Sequence, residues 1–141
     1  MTDADRRELR ASVMRHEGLR LTPYHDTVGK ITIGYGRNLA DVGITRAEAS
    51  MLLDHDLERA ELDVRKALPW VDQLNGVRQA VVIEMCFNLG LTRLLGFRNT
   101  LKAMQAGRYE QAAAGMLNSK WAQQVGHRAQ TLARQMRTGE R

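Results

Sequence analysis

The segment from His16 to Gly36 constrains the fold more than any other part of the chain. It reads as the end of a helix followed at once by a tight β-hairpin bearing two carboxylates and a threonine. The apolar spacing of Leu9, Val13 and Met14 predicts a first helix, with Gly18 as the residue that ends it and Glu17 left at its rim. Beyond the turn, Ile31-Thr32-Ile33 alternates with period two, so the isoleucines share one face and Thr32 takes the other. A three-residue loop at Val28-Gly29-Lys30 would pair Thr27 with Ile31 and Asp26 with Thr32. Asp26 and Thr32 would then project side by side, away from a buried isoleucine face. A two-residue loop at Gly29-Lys30 shifts the pairing by one and stays open.

Two carboxylates in unlike surroundings, with a hydroxyl beside one of them, are the parts needed to hydrolyse an acetal. One gives a proton to the leaving oxygen while the other stays ionised and orients water or stabilises an oxocarbenium-like centre. Glu17 suits the acid role, because it follows a helix whose packed apolar face would partly desolvate it and favour the protonated form. Asp26, on an exposed hairpin among polar residues, suits the anion role.

The residues around these positions resemble a known family. Glu17-Gly18-Leu19-Arg20-Leu21, Tyr24, Asp26, Gly29 and Thr32-Ile33-Gly34-Tyr35-Gly36 are similar in type and spacing to the active-site segment of the phage T-even-type lysozymes, muramidases of the wider endolysin group. Phe87-Asn88-Leu89-Gly90, Gly96-Phe97-Arg98-Asn99-Thr100-Leu101, Ser119-Lys120-Trp121 and Arg134-Gln135-Met136-Arg137-Thr138-Gly139 extend the resemblance, in order, through the C-terminal part. It implies Glu17 as general acid, with Asp26 and Thr32 placing the attacking water. Arg37 departs from the pattern, since the family commonly has His after the Gly-Tyr-Gly turn. That bears on a local pairing and not on the catalytic trio.

The chain of 141 residues is 43% hydrophobic and 26% charged, an ordinary balance for one globular domain, which argues against disordered and fibrous classes. Cys86 is the single cysteine, so no internal disulfide can form, and its apolar run from Ala80 to Phe87 marks it as a buried core thiol. No apolar stretch follows the polar N-terminus, so neither signal peptide nor membrane anchor is expected. The protein would collect in the host cytoplasm until a holin, or delivery within a virion, gave it access to the wall. The net charge of +5 is uneven. Residues 1–60 carry nine Lys/Arg against ten Asp/Glu, and residues 61–141 carry twelve against six. A basic C-terminal half suits an anionic wall or membrane surface. Nucleic acid is not expected, because zinc-ligand spacings, RNP-like strands and basic runs interleaved with aromatics are all missing.

The rest of the chain reads as helical. Thr45-Arg46-Ala47-Glu48 is a capping box that opens a long helix ended by Pro69 near Leu68. Its charged face reads as solvated, and His55 on it has no second metal ligand at useful spacing. After Asn75-Gly76, Val77 to Leu89 is apolar nearly all round and should be the central buried helix, stopped by Gly90. Shorter helices are expected over 92–95, 98–106, 109–118 and 127–137. The expected fold class is α+β, mostly helical and lysozyme-like, as one domain spanning 1–141. Within it, a catalytic lobe of about 15–60 contains the hairpin and a helical lobe of about 61–141 also receives the N-terminal helix.

Further candidate substrate contacts carry alternatives. Tyr24 and Tyr35 either stack on sugars or cover a small core. Asn88 either caps the buried helix or reaches a sugar amide, and the family resemblance favours contact. Trp121 is a packing residue or part of a cleft floor. Arg128 matches a family arginine near the catalytic Glu, where its charge would favour the carboxylate and so oppose the acid role unless desolvation of Glu17 offsets it. The reading is a monomeric glycoside hydrolase needing no metal or other cofactor. It would cleave the N-acetylmuramic acid to N-acetylglucosamine β-1,4 bond of peptidoglycan with inversion. Other classes compatible with the sequence are a silent wall-binding module and a basic, membrane-active helical protein.

Overall fold

The computed structural model describes residues Met1–Arg141, which divide into two compact units, Met1–Ser50 and Met51–Arg141. The chain is α+β and mostly helical, with a single three-stranded antiparallel sheet in the order β1-β2-β3.

The first unit opens with α1 (Asp3–Glu17). Thr2 and Asp5 form its capping box, and the helix stops at Gly18, as the sequence predicts. The apolar face expected on α1 is not packed. The helix has no buried residue, and Leu9 and Val13 are exposed. The sheet follows as β1 (Arg20–His25), β2 (Ile31–Gly34) and the two-residue β3 (Arg37–Asn38), a strand that sequence patterning does not reveal. The hairpin register differs from both expected pairings. Tyr24 lies opposite Thr32 and His25 opposite Ile31, with Asp26 N–H donating to Lys30 O at 2.9 Å. The reason is the Asp26 side chain. Its Oδ1 accepts the N–H groups of Val28 and Lys30, an Asx-type turn that places the loop at Thr27-Val28-Gly29. Because the slip is two residues, Asp26 and Thr32 still share a face. That face is the inner one. Thr32 is 3% exposed and Ile31 45%, the reverse of the expected burial.

Across residues 46–67 runs α2 (Arg46–Ala67), opened by the predicted Thr45/Glu48 box. Only Ala60 and Val64 of α2 are buried. Pro69 starts a 3-10 turn (Pro69–Gln73) that sequence analysis missed.

The remaining helices are α3 (Gly76–Leu89), α4 (Leu91–Leu95), α5 (Arg98–Gln105), α6 (Tyr109–Leu117), α7 (Lys120–Val125) and α8 (His127–Thr138). Here α3 forms where the buried helix is expected but is buried on one side only, through Val81, Val82, Met85 and Cys86, with Ala80 and Phe87 exposed, while α7, capped by Ser119, is an additional element. The core is rich in methionine. Met85, Met104, Met116 and Met136 are fully buried with Val64, Val71, Val81, Val82 and Leu94, flexible thioethers filling the irregular spaces where short helices meet. Burial pushes the Cys86 thiol upward, with Asp63 adding to the effect, so it is an inert core group. No helix is long and apolar enough to cross a membrane.

Candidate active site

The hairpin of the first unit carries a short polar network centred on the backbone of one residue, Lys30. Lys30 N–H donates to Asp26 Oδ1 at 2.8 Å, and Lys30 O accepts the Thr32 hydroxyl at 3.0 Å. Val28 N–H adds a second bond to Asp26 Oδ1 at 3.0 Å. Asp26 is thus anchored through one carboxylate oxygen, which leaves Oδ2 for other partners. With its hydrogen committed to Lys30 O, Thr32 Oγ1 is set as an acceptor. Lys30 is itself tied down through Nζ to Asp41 at 3.2 Å, and Asn38 and Asp41 exchange bonds of 3.0 Å.

Glu17, the last residue of α1, is solvent-exposed, so the desolvation expected from a packed helix is not present. Its side chain lies against the Gly34-Tyr35-Gly36 turn that joins β2 to β3. Gly36 has φ +79, and a Cβ built on it would stand 2.7 Å from Glu17 Oε2. Glycine is therefore required there twice over, by the left-handed backbone and by the carboxylate.

The neighbouring turn is held by Arg37. Its Nη1 donates to Gly43 O at 3.0 Å and to Glu48 Oε1 at 2.9 Å. The Arg37 hydrogen bond, followed by the Thr45 N–H, holds the Glu48 carboxyl down at about 2. Its bond and charge in turn raise Arg37. This pairing was not legible in the sequence, because nothing local links positions 37 and 48.

Among the other candidates of this unit, Tyr24 is half-buried with the Arg20 guanidinium 4.6 Å from its ring centre. Tyr35 is exposed at the tip of the turn.

Asn88, Trp121 and Arg128 belong to the second unit. Trp121 is 2% exposed, packs edge-on to Phe97 and donates its indole N–H to Asn88 Oδ1 at 2.8 Å. Its packing role is evident, and the Asn88 amide is oriented by it. Arg128 Nε pairs with Glu84 Oε2 at 3.1 Å. The unit also contains a cavity of about 740 Å³ whose charged lining residues are Arg93, Arg98 and Lys120. His55 is exposed on α2, and no three His, Cys, Asp or Glu side chains converge anywhere in the structure.

Residues 14–139 match the phage lysozyme family. The chain belongs to that family, and to its T4 type. It is 28% identical over 152 residues to the probable T4-type lysozyme 1 of Dictyostelium discoideum, covering 87% of this chain and 89% of that protein. The endolysin of Acyrthosiphon pisum secondary endosymbiont phage 1 is 31% identical over 115 residues, covering 77% of this chain and 73% of the relative. The pre-baseplate central spike protein Gp5 of Enterobacteria phage T4 is also 31% identical, over 153 residues and 89% of this chain. The chain spans only 27% of the length of that spike protein.

Proposed function

We propose that this chain is an endolysin-type muramidase that hydrolyses the β-1,4 bond between N-acetylmuramic acid and N-acetylglucosamine in bacterial peptidoglycan. The observation that carries the reading is the Lys30 backbone, whose N–H and C=O organise Asp26 and Thr32 on one hairpin face. A water donating one hydrogen to Asp26 Oδ2 and the other to Thr32 Oγ1 keeps a lone pair free for the anomeric carbon. Glu17, resting on the Gly36 turn, protonates the leaving oxygen. Glu17 is exposed in the free protein, and bound substrate excludes water from around it.

An attack by water on the face opposite the acid is single displacement, with inversion. Such sites keep their carboxyl groups roughly 6.5–9.5 Å apart to admit the water, against about 5 Å where a carboxylate attacks directly. In the same reading Tyr24 and Tyr35 offer ring faces to the sugars. The Asn88 amide, steadied by Trp121, donates to an acetamido carbonyl, and Arg128 contributes positive charge. The protein acts as a monomer on reaching the wall, and the twelve basic residues of 61–141 favour an anionic surface.

The test compares the parent with Glu17→Gln on permeabilised Gram-negative cells, followed by turbidity, and reads the first product by proton NMR before mutarotation. The expected results are loss of lysis in a folded variant and an initial α-anomer from the parent. Lysis by Glu17→Gln at the parent rate overturns the acid assignment, and an initial β-anomer makes Asp26 a nucleophile. A silent binding module would show no lysis in the parent, and a membrane-active protein would lyse cells with either carboxylate removed.

A further inference from the structure

We propose that Arg37 is a positioning residue for Glu17, holding the Gly34-Tyr35-Gly36 turn at the distance the general acid needs. The inference rests on the muramidase reading above. The contact of Glu17 with this turn is extended. A Cβ on Gly36 would meet Oε2 at 2.7 Å, Cδ at 3.0 Å and Cγ at 3.4 Å, so the outer part of the Glu17 side chain follows the Gly36 backbone. Any movement of the turn therefore moves the surface on which the acid rests.

The turn has little stiffness of its own. Two of its three residues are glycines at positive φ, and it is closed by a two-residue strand in which Arg37 pairs with Ile33. Rigidity has to come from outside. Arg37, the first residue after the turn, supplies it through the two bonds of Nη1 to Gly43 O and Glu48 Oε1. Glu48 is fixed in its turn by the Thr45 capping box, with Thr45 N–H on Glu48 Oε1 at 2.8 Å and Glu48 N–H on Thr45 Oγ1 at 3.1 Å. The start of α2 thereby anchors the turn through one side chain. A guanidinium keeps its charge throughout the working pH range, so the clamp does not open as imidazole would on losing its proton.

Both Arg37 bonds leave from a single nitrogen, which makes the clamp replaceable by an ammonium group at similar reach. This separates a positioning role from simple loss of stability. The measurement is kcat and KM on a soluble peptidoglycan oligosaccharide for the parent, Arg37→Met, Arg37→Lys, Glu48→Gln and Glu17→Gln, each checked for folding by circular dichroism. Displacement of a catalytic group by a fraction of an ångström to an ångström lowers the rate by about ten- to a hundredfold. That loss is expected in kcat for Arg37→Met, with KM little changed, and Arg37→Lys should recover most of it. Glu48→Gln, which keeps a capping-box residue but removes the charge, should also lower kcat.

A folded Arg37→Met with parental kcat, or an Arg37→Lys no better than Arg37→Met, overturns the inference. Should Arg37→Met fail to fold, Glu48→Gln decides in its place, and parental kcat there overturns it equally. An inactive Glu17→Gln beside an unimpaired Arg37→Met removes the positioning role alone. A fully active Glu17→Gln removes both that role and the acid assignment on which it rests.

Discussion

Each of the two units of this protein is stabilised internally by a different kind of contact. Within residues 1–50 only Thr32 is buried, whereas every buried apolar side chain, from Ala60 to Met136, belongs to the second unit. The first unit relies on caps, an Asx turn and exposed ion pairs, contacts that solvent competes with and salt screens. In the second, short helices share a continuous apolar core. The proposed catalytic trio thus lies in the part with the least apolar burial, where local opening costs least and where a substrate can adjust the geometry on binding. Arg37 has a task in such a setting, since a turn without a core beneath it must be fixed by polar contacts.

The largest effect that could break this contrast is in the core. Met116→Ala, at a fully buried position of α6, should cost about 2–5 kcal/mol in urea unfolding, while Leu21→Ala, 80% exposed on β1, should stay within about 0.5 kcal/mol. Comparable losses at the two sites would mean that the first unit draws on apolar packing as well.

Smaller, and polar within the apolar unit, is the tie at the C-terminal end of α8. Arg78 donates from Nε to Met136 O at 2.7 Å and from Nη2 to Arg137 O at 3.0 Å, and lies over the Tyr109 ring at 3.5 Å. It therefore satisfies carbonyls that a helix end leaves unpaired. Arg78→Met should cost about 1–3 kcal/mol and accelerate amide exchange in the last turn of α8. Unchanged exchange would show that the core alone holds the helix end.

The smallest expected effect is in the first unit and depends on pH. Glu48 has an ordinary value of 4.5 and is held at about 2 in the fold. Its contribution to stability is therefore complete above pH 4.5 and disappears as pH falls through about 2. Glu48→Gln removes that dependence. Melting followed at the Thr32 amide should show a parent-to-variant difference that shrinks over this window, and that is further reduced by salt because the pair is exposed. A difference that does not change with pH would show that ionisation of Glu48 adds nothing to the stability of this unit.

The features legible in the sequence are those whose determinants lie within a few residues of one another. Gly18 ends α1, Thr45 and Glu48 open α2, and Asn75 and Gly90 bracket α3. The hairpin shows where such reading stops. Its strands were evident, but the Asp26 side chain competed for the turn amides and slipped the register by two residues. Thr32 is buried in place of Ile31, which alternation cannot show because it marks two faces without saying which is inward. The short α7 and two-residue β3 have too few residues to establish a period.

Sequence alone determined the element order for most of the chain, the helix caps, and the presence of Glu17, Asp26 and Thr32 within one helix-to-hairpin segment. These depend on neighbours along the backbone and on chemistry intrinsic to each residue. Tertiary structure decided what those residues touch. The seat of Glu17 on Gly36, the Arg37 bond to Glu48 eleven positions away and the Arg78 bond to Met136 fifty-eight positions away all depend on segments brought together by folding. A side chain's type states which bonds it can form, but the partner available to it is set by the packing of the whole unit.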